Sequence, residues 1–333
     1  MKNIEKYKSL KAYNTFGVEC FCEYFISVAN KDELRAALLN SDFKEKFILG
    51  GGSNMLLTQN IPGLCIQINL KGVSILEENE IEVIVEAQAG ENWHQFVLWT
   101  IKQGYGGLEN LSLIPGNIGT APIQNIGAYG VELKDSFVEC TTLDKETGSS
   151  HTFKLKDLAF SYRTSVFKTS LKNKHVITSV QFRLTKKKHR LVIDYEELIK
   201  EVKKLNPKSI SDAVIAIRRR KLPDPLEIGN SGSFFKNPII PELNFQKLIK
   251  IHPEMPHNRI SITEVKIPAG WIIEQLGYKG YKKGDAGVHE NQALVLVNHG
   301  NASGSEILNL AKEIQEKVYE HFNISLETEV NIY

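Results

Sequence analysis

The chain has 333 residues, 42% of them hydrophobic and 24% charged, and a formal net charge of +2. That length supports two or three domains with their own cores and the composition excludes a disordered chain. The near-neutral charge gives no support to a nucleic-acid partner, and no apolar run approaches the length needed to span a bilayer, so no membrane partner is expected.

Residues 1–10 carry lysines without the apolar stretch of a signal peptide, so a cytoplasmic location is expected. Four cysteines, Cys20, Cys22, Cys65 and Cys140, match neither a zinc ribbon nor a disulfide scaffold. They read as reduced cysteines on strands, and no metal site is expected. After Asn14-Thr15-Phe16-Gly17-Val18, residues 21–28 read as a strand. Asn30 and Glu33 then cap a helix that carries Leu34, Ala37 and Leu38 on one face.

A short apolar strand at 47–49 runs into Gly50-Gly51-Gly52-Ser53-Asn54. Met55 stands where a dinucleotide fingerprint needs glycine, and no Gly-Lys-Ser/Thr follows, so neither familiar phosphate loop fits. Two readings remain: a nest of backbone N–H donors suited to a pyrophosphate, or a tight left-handed turn with no ligand. Residues 81–87 alternate as a strand. Asn92 starts a helix bearing Trp93, Phe96, Val97 and Ile101, which Gly104 stops.

The stretch Ile114-Pro115-Gly116-Asn117-Ile118-Gly119-Thr120-Ala121-Pro122-Ile123-Gln124-Asn125-Ile126-Gly127-Ala128-Tyr129-Gly130 is a shaped loop, too rich in glycine and proline for a helix or a long strand. Its isoleucines predict burial, and a buried irregular backbone must find partners for its polar groups. A bound polar ligand is one solution and an Ω-loop packed on itself is the other. This stretch resembles the flavin-cradling signature of the UDP-N-acetylenolpyruvoylglucosamine reductase family, and together with the triglycine turn it is similar to the FAD domain of the wider flavin-oxidase superfamily. The resemblance implies non-covalent FAD held by Gly50, Gly51, Gly52, Ser53, Asn54, Ile114, Pro115, Gly116, Gly119, Thr120, Gln124, Asn125, Gly127 and Ala128.

Beyond the loop, 137–143 and 151–155 read as strands around a turn at 145–148. Strands alternating with helices and then running in hairpins predict an α+β protein rather than a doubly wound sheet. The resemblance implies a two-lobed FAD-binding domain of the flavin-oxidase superfamily type plus a smaller α+β substrate-binding domain. Its expected boundaries are 1–70 for the first lobe, joined by a C-terminal strand at 324–333, and 71–188 for the second lobe. An insertion with a substrate-facing loop at 189–220 and a substrate-binding domain at 221–323 complete the division.

Phe160-Ser161-Tyr162-Arg163-Thr164-Ser165-Val166-Phe167-Lys168 matches the family's Tyr-Arg-x-Ser-x-Phe-Lys motif. Arg163 sits among apolar and aromatic residues, where a guanidinium calls for an anionic partner; an exposed surface arginine is the plainer reading. The basic runs 186–190 and 218–221 lack interleaved aromatics and read as charged surface; the second leads into Lys221-Leu222-Pro223-Asp224-Pro225, another motif of the family, and so has a second reading, as the frame of a site for an anionic nucleotide sugar. Tyr195, in the insertion, matches the tyrosine that closes over substrate in one subgroup of the family.

Gly229-Asn230-Ser231-Gly232-Ser233-Phe234-Phe235-Lys236-Asn237-Pro238 is the second long signature. Alone, Ser233 reads as a turn serine bonding its own backbone; by resemblance it is the proton donor. Ser303 and Glu306 box the start of a helix whose apolar face is Ile307, Leu310, Ala311, Ile314 and Val318. Residues 326–330 read as a strand, where Glu329 is either a solvent-facing carboxylate or, by resemblance, a catalytic one.

The family's chemistry implies that NADPH reduces the flavin and leaves, and that a UDP-sugar enolpyruvyl ether, UDP-N-acetylglucosamine enolpyruvate, takes its place. Hydride passes from flavin N5 to the vinyl carbon, giving UDP-N-acetylmuramate for peptidoglycan. Arg163, Ser233 and Glu329 are then catalytic, and Tyr162, Tyr195, Lys221, Asn237 and Gln292 bind substrate. A monomer is expected. Two positions depart from the family: Pro256-His257-Asn258-Arg259 stands where relatives carry a second substrate-facing tyrosine, and Asn331 where they usually carry arginine. Rival readings are an oxygen-using flavin oxidase and a non-catalytic flavin-binding module.

Overall fold

The computed structural model describes residues 4–333; residues 1–3 of the lysine-bearing N-terminus lie outside the described residues. The chain divides into two compact units. One comprises the chain up to Lys8 with Cys22–Gly52 and Ile61–Arg220, the other Ser9–Phe21, Ser53–Asn60 and Lys221–Tyr333.

In the first unit, the apolar strand Ile61–Ile68 pairs in parallel with Phe21–Val28 on one side and Lys46–Leu49 on the other. A parallel pair needs a crossover, and helix α1, Lys31–Leu39, supplies it. Its start is set by Asn30, whose side chain accepts from Glu33 N, and it buries Leu34, Ala37 and Leu38. A second sheet of this unit is antiparallel, in the order Ser150–Lys154, Phe137–Asp144, His175–Thr185, Glu82–Gln88, Val73–Glu78. Helix α2, Trp93–Lys102, packs on it through Trp93, Phe96 and Val97, all buried with Phe182 in one apolar cluster. Each such side chain contributes roughly 1.5–3 kcal/mol. Asn92 caps α2, and Gly104, at φ +79°, ends it through an N–H bond to Ile101 O.

Two helices follow, α3 over Glu196–Glu201 and α4 over Pro207–Lys221. Asn206 starts α4 by accepting Ser209 N on its Oδ1, with Pro207 at the first helical position where no N–H is missed. Pro207, Ile210, Ser211, Val214 and Ile217 form its buried face.

The second unit carries helices α5, Glu242–Ile251, α6, Ala269–Gln275, and α7, Gly304–Phe322. The capping box of Ser303 and Glu306 forms as expected, and Ile307, Leu310, Ala311, Ile314 and Val318 are buried. They share one core with Phe16, Phe234, Phe235 and Leu296. Residues 326–330 differ from the expected strand. Only Thr328 makes a bridge there, to Phe235, and the regular ladder begins at Asn331–Ile332, which pairs in parallel with Met55–Leu56. The central loop also departs from expectation by containing a 3-10 helix, Ile118–Ile123, with Pro122 inside. The tighter turn accommodates what an α-helix would not.

All four cysteines are buried and outside any disulfide, Cys22, Cys65 and Cys140 on strands and Cys20 just before one. Among the described residues no helix is long and apolar enough to cross a membrane, and no group of three His, Cys, Asp or Glu could hold a metal ion.

Candidate active site

The first unit brings the triglycine turn and the central loop into contact. A methyl group on Gly51 would lie 2.9 Å from Asn117 Oδ1 and 3.0 Å from Gly116 Cα, and one on Gly50 would lie 2.5 Å from Thr120 Cγ2. Side chains at these two positions would push the loops apart. Gly119 in turn rests on Ala89, where a Cβ would meet Ala89 Cβ at 2.6 Å.

The central loop hangs from the residues that precede and open α2. Gly119 N donates to Ala89 O, Ile118 N to Glu91 O, and Trp93 N to Gly116 O. Gly52 and Gly116 take φ of +63° and +114°, values glycine adopts without steric cost. None of residues 50–54 and 114–128 carries a charge of its own. Glycines that let backbone meet backbone, with hydroxyls and amides among them, fit a flavin dinucleotide.

The Tyr-Arg-x-Ser-x-Phe-Lys segment is stitched to the same loop. Ser165 Oγ donates to Ile123 O at 2.7 Å, Lys168 Nζ to Gln124 Oε1 at 3.2 Å, and Asn125 Nδ2 to Ser161 O at 3.2 Å. Asn125 is fully buried, at φ +46°, and its amide also bonds Glu132 Oε2 and Lys134 N, so its side chain braces the loop.

Tyr162 and Arg163 form a tight turn closed by reciprocal bonds between Ser161 and Thr164. Arg163 takes φ +54°, a strained value for a residue with a Cβ, and a Cβ on Gly127 would lie 3.2 Å from its Nη1. Its guanidinium lies 5.6 Å from the Tyr162 ring centroid, and its Nε is buried.

Arg218, on the inner face of α4, was not singled out from the sequence. Its Nε donates to Leu113 O at 3.3 Å. Burial pushes its ionisation down from the usual arginine range, with the Arg163 charge adding to the shift and Tyr129 opposing it. The residue is half-buried. Burial of a guanidinium charge is favourable where an anion or a set of acceptors meets it.

His94 was also missed. Its Nδ1 accepts Leu113 N at 3.0 Å, so the ring must be neutral there, and burial together with the Arg219 and Arg218 charges holds its pKa below the ordinary histidine range. Leu113, at φ +58°, is thus gripped at both its N–H and its C=O immediately before Ile114-Pro115-Gly116.

Tyr195 is 51% exposed and meets Tyr129 edge-on, with ring centroids 5.7 Å apart. Gly127–Ala128 pairs with Val131–Glu132 across a turn in which Tyr129 and Gly130 both have positive φ.

Ser53, Asn54, Lys221, Ser233, Asn237, Gln292 and Glu329 belong to the second unit. Ser233 ends the strand Gly229–Ser233 after an irregularity at Ser231-Gly232. The turn is closed by Asn230, whose Oδ1 accepts Gly232 N at 2.9 Å, and not by the Ser233 hydroxyl. Glu329 N donates to Phe234 O and Lys236 N to Glu327 O, so Ser233 and Glu329 stand on neighbouring backbone segments. Glu329 is half-buried.

Asn54 joins this edge. Its Nδ2 donates to Glu329 O, and its own carbonyl accepts both N and Nδ2 of Asn331. Asn237 Oδ1 accepts Ala269 N in the first turn of α6, and a Cβ on Gly270 would lie 2.9 Å from Gln292 Oε1. His257 bonds Met255 O and packs 4.5 Å from the Phe245 ring, while Asn258 lies on an exposed strand opposite Lys266.

Comparison with known proteins gives matches over both parts. Residues 224–333 match the family "UDP-N-acetylenolpyruvoylglucosamine reductase, C-terminal domain", and residues 22–154 match "FAD binding domain". A UDP-N-acetylenolpyruvoylglucosamine reductase of Flavobacterium johnsoniae is 55% identical over 329 residues, covering 97% of this chain and 98% of that protein. One of Pseudomonas putida is 46% identical over 332 residues, covering 98% and 97%. The crystal structure of the Thermus caldophilus enzyme of that name, 23% identical, superposes with a TM-score of 0.69 over 99% of each chain, a likeness of fold.

Proposed function

The chain belongs to the UDP-N-acetylenolpyruvoylglucosamine reductase family, and from that premise we propose how its residues divide the reaction. The enzyme reduces UDP-N-acetylglucosamine enolpyruvate to UDP-N-acetylmuramate for peptidoglycan synthesis, with FAD as cofactor and NADPH as co-substrate. FAD supplies, when bound, the hydride carrier between NADPH and the vinyl carbon.

The glycine loops at 50–54 and 114–128 hold the cofactor through backbone amides, Ser53 and Thr120. Arg163 faces the negative charge that develops beside the substrate carboxylate, and its strained turn fixes it there before the charge appears. Ser233 gives its hydroxyl proton to the carbon next to the reduced one; an enolate is basic enough to take it. Glu329 acts as a second acid or polarises the intermediate, for which it must hold or share a proton. Tyr162, Tyr195, Lys221, Asn237 and Gln292 bind the nucleotide sugar.

In this reading residues 1–70 with 324–333, and 71–188, serve the cofactor, 189–220 closes over substrate, and 221–323 binds it, in a cytoplasmic monomer. The observation that carries the assignment of the acids is the adjacency of Ser233-Phe234 and Thr328-Glu329, joined through Glu329 N and Phe234 O. Replacement of Ser233 by alanine tests it. NADPH should still bleach the flavin of Ser233→Ala at the parent rate, while turnover of the enolpyruvyl substrate falls by about 10² or more. Near-normal turnover would remove Ser233 from the mechanism.

A further inference from the structure

Asn110 lies in a 3-10 turn, Glu109–Leu111, and is 1% exposed. Its side-chain amide has two N–H donors, and they go to two different segments: Tyr129 O at 2.9 Å and Val192 O at 2.9 Å. Tyr129 belongs to the turn that closes the cofactor loop, and Val192 to the inserted segment that presents Tyr195. The same two segments meet side by side elsewhere. Gly130 is so close to the insertion that a Cβ there would lie 3.0 Å from Val192 Cγ1 and 3.6 Å from Tyr195 Cε2, and the Tyr129 and Tyr195 rings are in edge contact. Leu191, Ile193 and Tyr129 pack against the small core of Leu198, Ile210, Val214 and Ile217.

A buried carboxamide that spends one donor on each of two loops does something neither loop can do alone: it fixes the distance between them. We propose that Asn110 is a positioning residue that tethers the 191–195 segment to the cofactor loop, and so sets where Tyr195 stands when substrate arrives. The functional half of this rests on the reading of Tyr195 as substrate-facing; the tether itself does not.

Nature has placed a reporter beside the tether. Lys187, Lys188 and Arg190 are exposed trypsin sites two to five residues before Val192. In Asn110→Ala, purified with its flavin, trypsin should cut at these sites about fivefold faster than in the parent, the effect of losing one buried hydrogen bond of ordinary strength. KM for the enolpyruvyl nucleotide should rise by about the same factor with kcat within about twofold, and NADPH should reduce the flavin at the parent rate. Asn110→Leu, close to asparagine in size but with no N–H to donate, should shift both readouts the same way and decides alone if Asn110→Ala does not fold.

Unchanged cleavage in both variants would overturn the proposal, as would loss of flavin from both, which would make Asn110 a support of the cofactor loop only. Faster cleavage with KM unmoved would overturn the positioning role if Tyr195→Ala itself raises KM. If Tyr195→Ala leaves KM where it was, the substrate role of Tyr195 fails and the cleavage rates still decide the tether.

Discussion

Arg163 is held in an unfavourable backbone conformation by the reciprocal Ser161–Thr164 bonds, and its guanidinium is aimed past Gly127. A planar fork in that position cannot be replaced by the point charge of lysine. Arg163→Lys should therefore lower reoxidation of the reduced flavin by the enolpyruvyl substrate by about 10² while NADPH bleaching is unchanged, as stopped-flow absorbance would read. A variant in which only nucleotide affinity changed would make Arg163 a binding residue. Motif and environment single this residue out in the sequence. Arg218 reads only as part of the run Arg218-Arg219-Arg220-Lys221, as charged surface or as the frame of a nucleotide-sugar site, and not by itself. Helical spacing separates them: Arg218 follows Val214 by one turn on the buried face, whereas Arg219 and Arg220 turn outward.

At the level of elements, the opening of α2 carries the central loop, and His94 is the titratable group in that connection. Its folded-state pKa is depressed, by burial first and by the Arg219 and Arg218 charges second, while the unfolded chain takes up a proton near the ordinary value of about 6.5. The unfolded state thus binds more protons as pH falls. The contribution is whole above about pH 6.5 and is lost as pH drops toward and through the folded-state value. His175 and His289 are depressed in the same direction, so wild-type acid sensitivity is shared. His94→Gln, which keeps an acceptor without a titration, should flatten the fall of the urea midpoint between pH 7.5 and 5.5 relative to the parent. An identical fall in both proteins would remove His94 from that role. Caps and periodic faces placed the starts and buried faces of α1, α2 and α7 from sequence, because those signals are local. The 326–330 stretch was misread because alternation predicts an extended segment, not whether a partner strand lies beside it.

Across the whole molecule, the glycines of 50–54 and 114–128 announce close approach, but only the fold says what approaches. Gly50 and Gly51 make room first for Thr120 and Asn117, so the pairing of the loops comes before the ligand. Cofactor should then report on the folded state by mass action. Protein stripped of FAD should melt at a lower temperature, and FAD restored at about 100 times its Kd should return roughly 2.7 kcal/mol, read by calorimetry or fluorescence. A melting temperature indifferent to FAD that is nonetheless bound would contradict a cradle confined to the native state.

The pairing of Met55–Leu56 with Asn331–Ile332 has a temporal meaning. On the ribosome, the stretch that supplies Ser53 and Asn54 emerges early yet cannot be completed until some 270 further residues have been translated. Until then Met55–Leu56 has no parallel partner and the Asn54 carbonyl lacks the two Asn331 donors, so this corner of the second unit is the last to close.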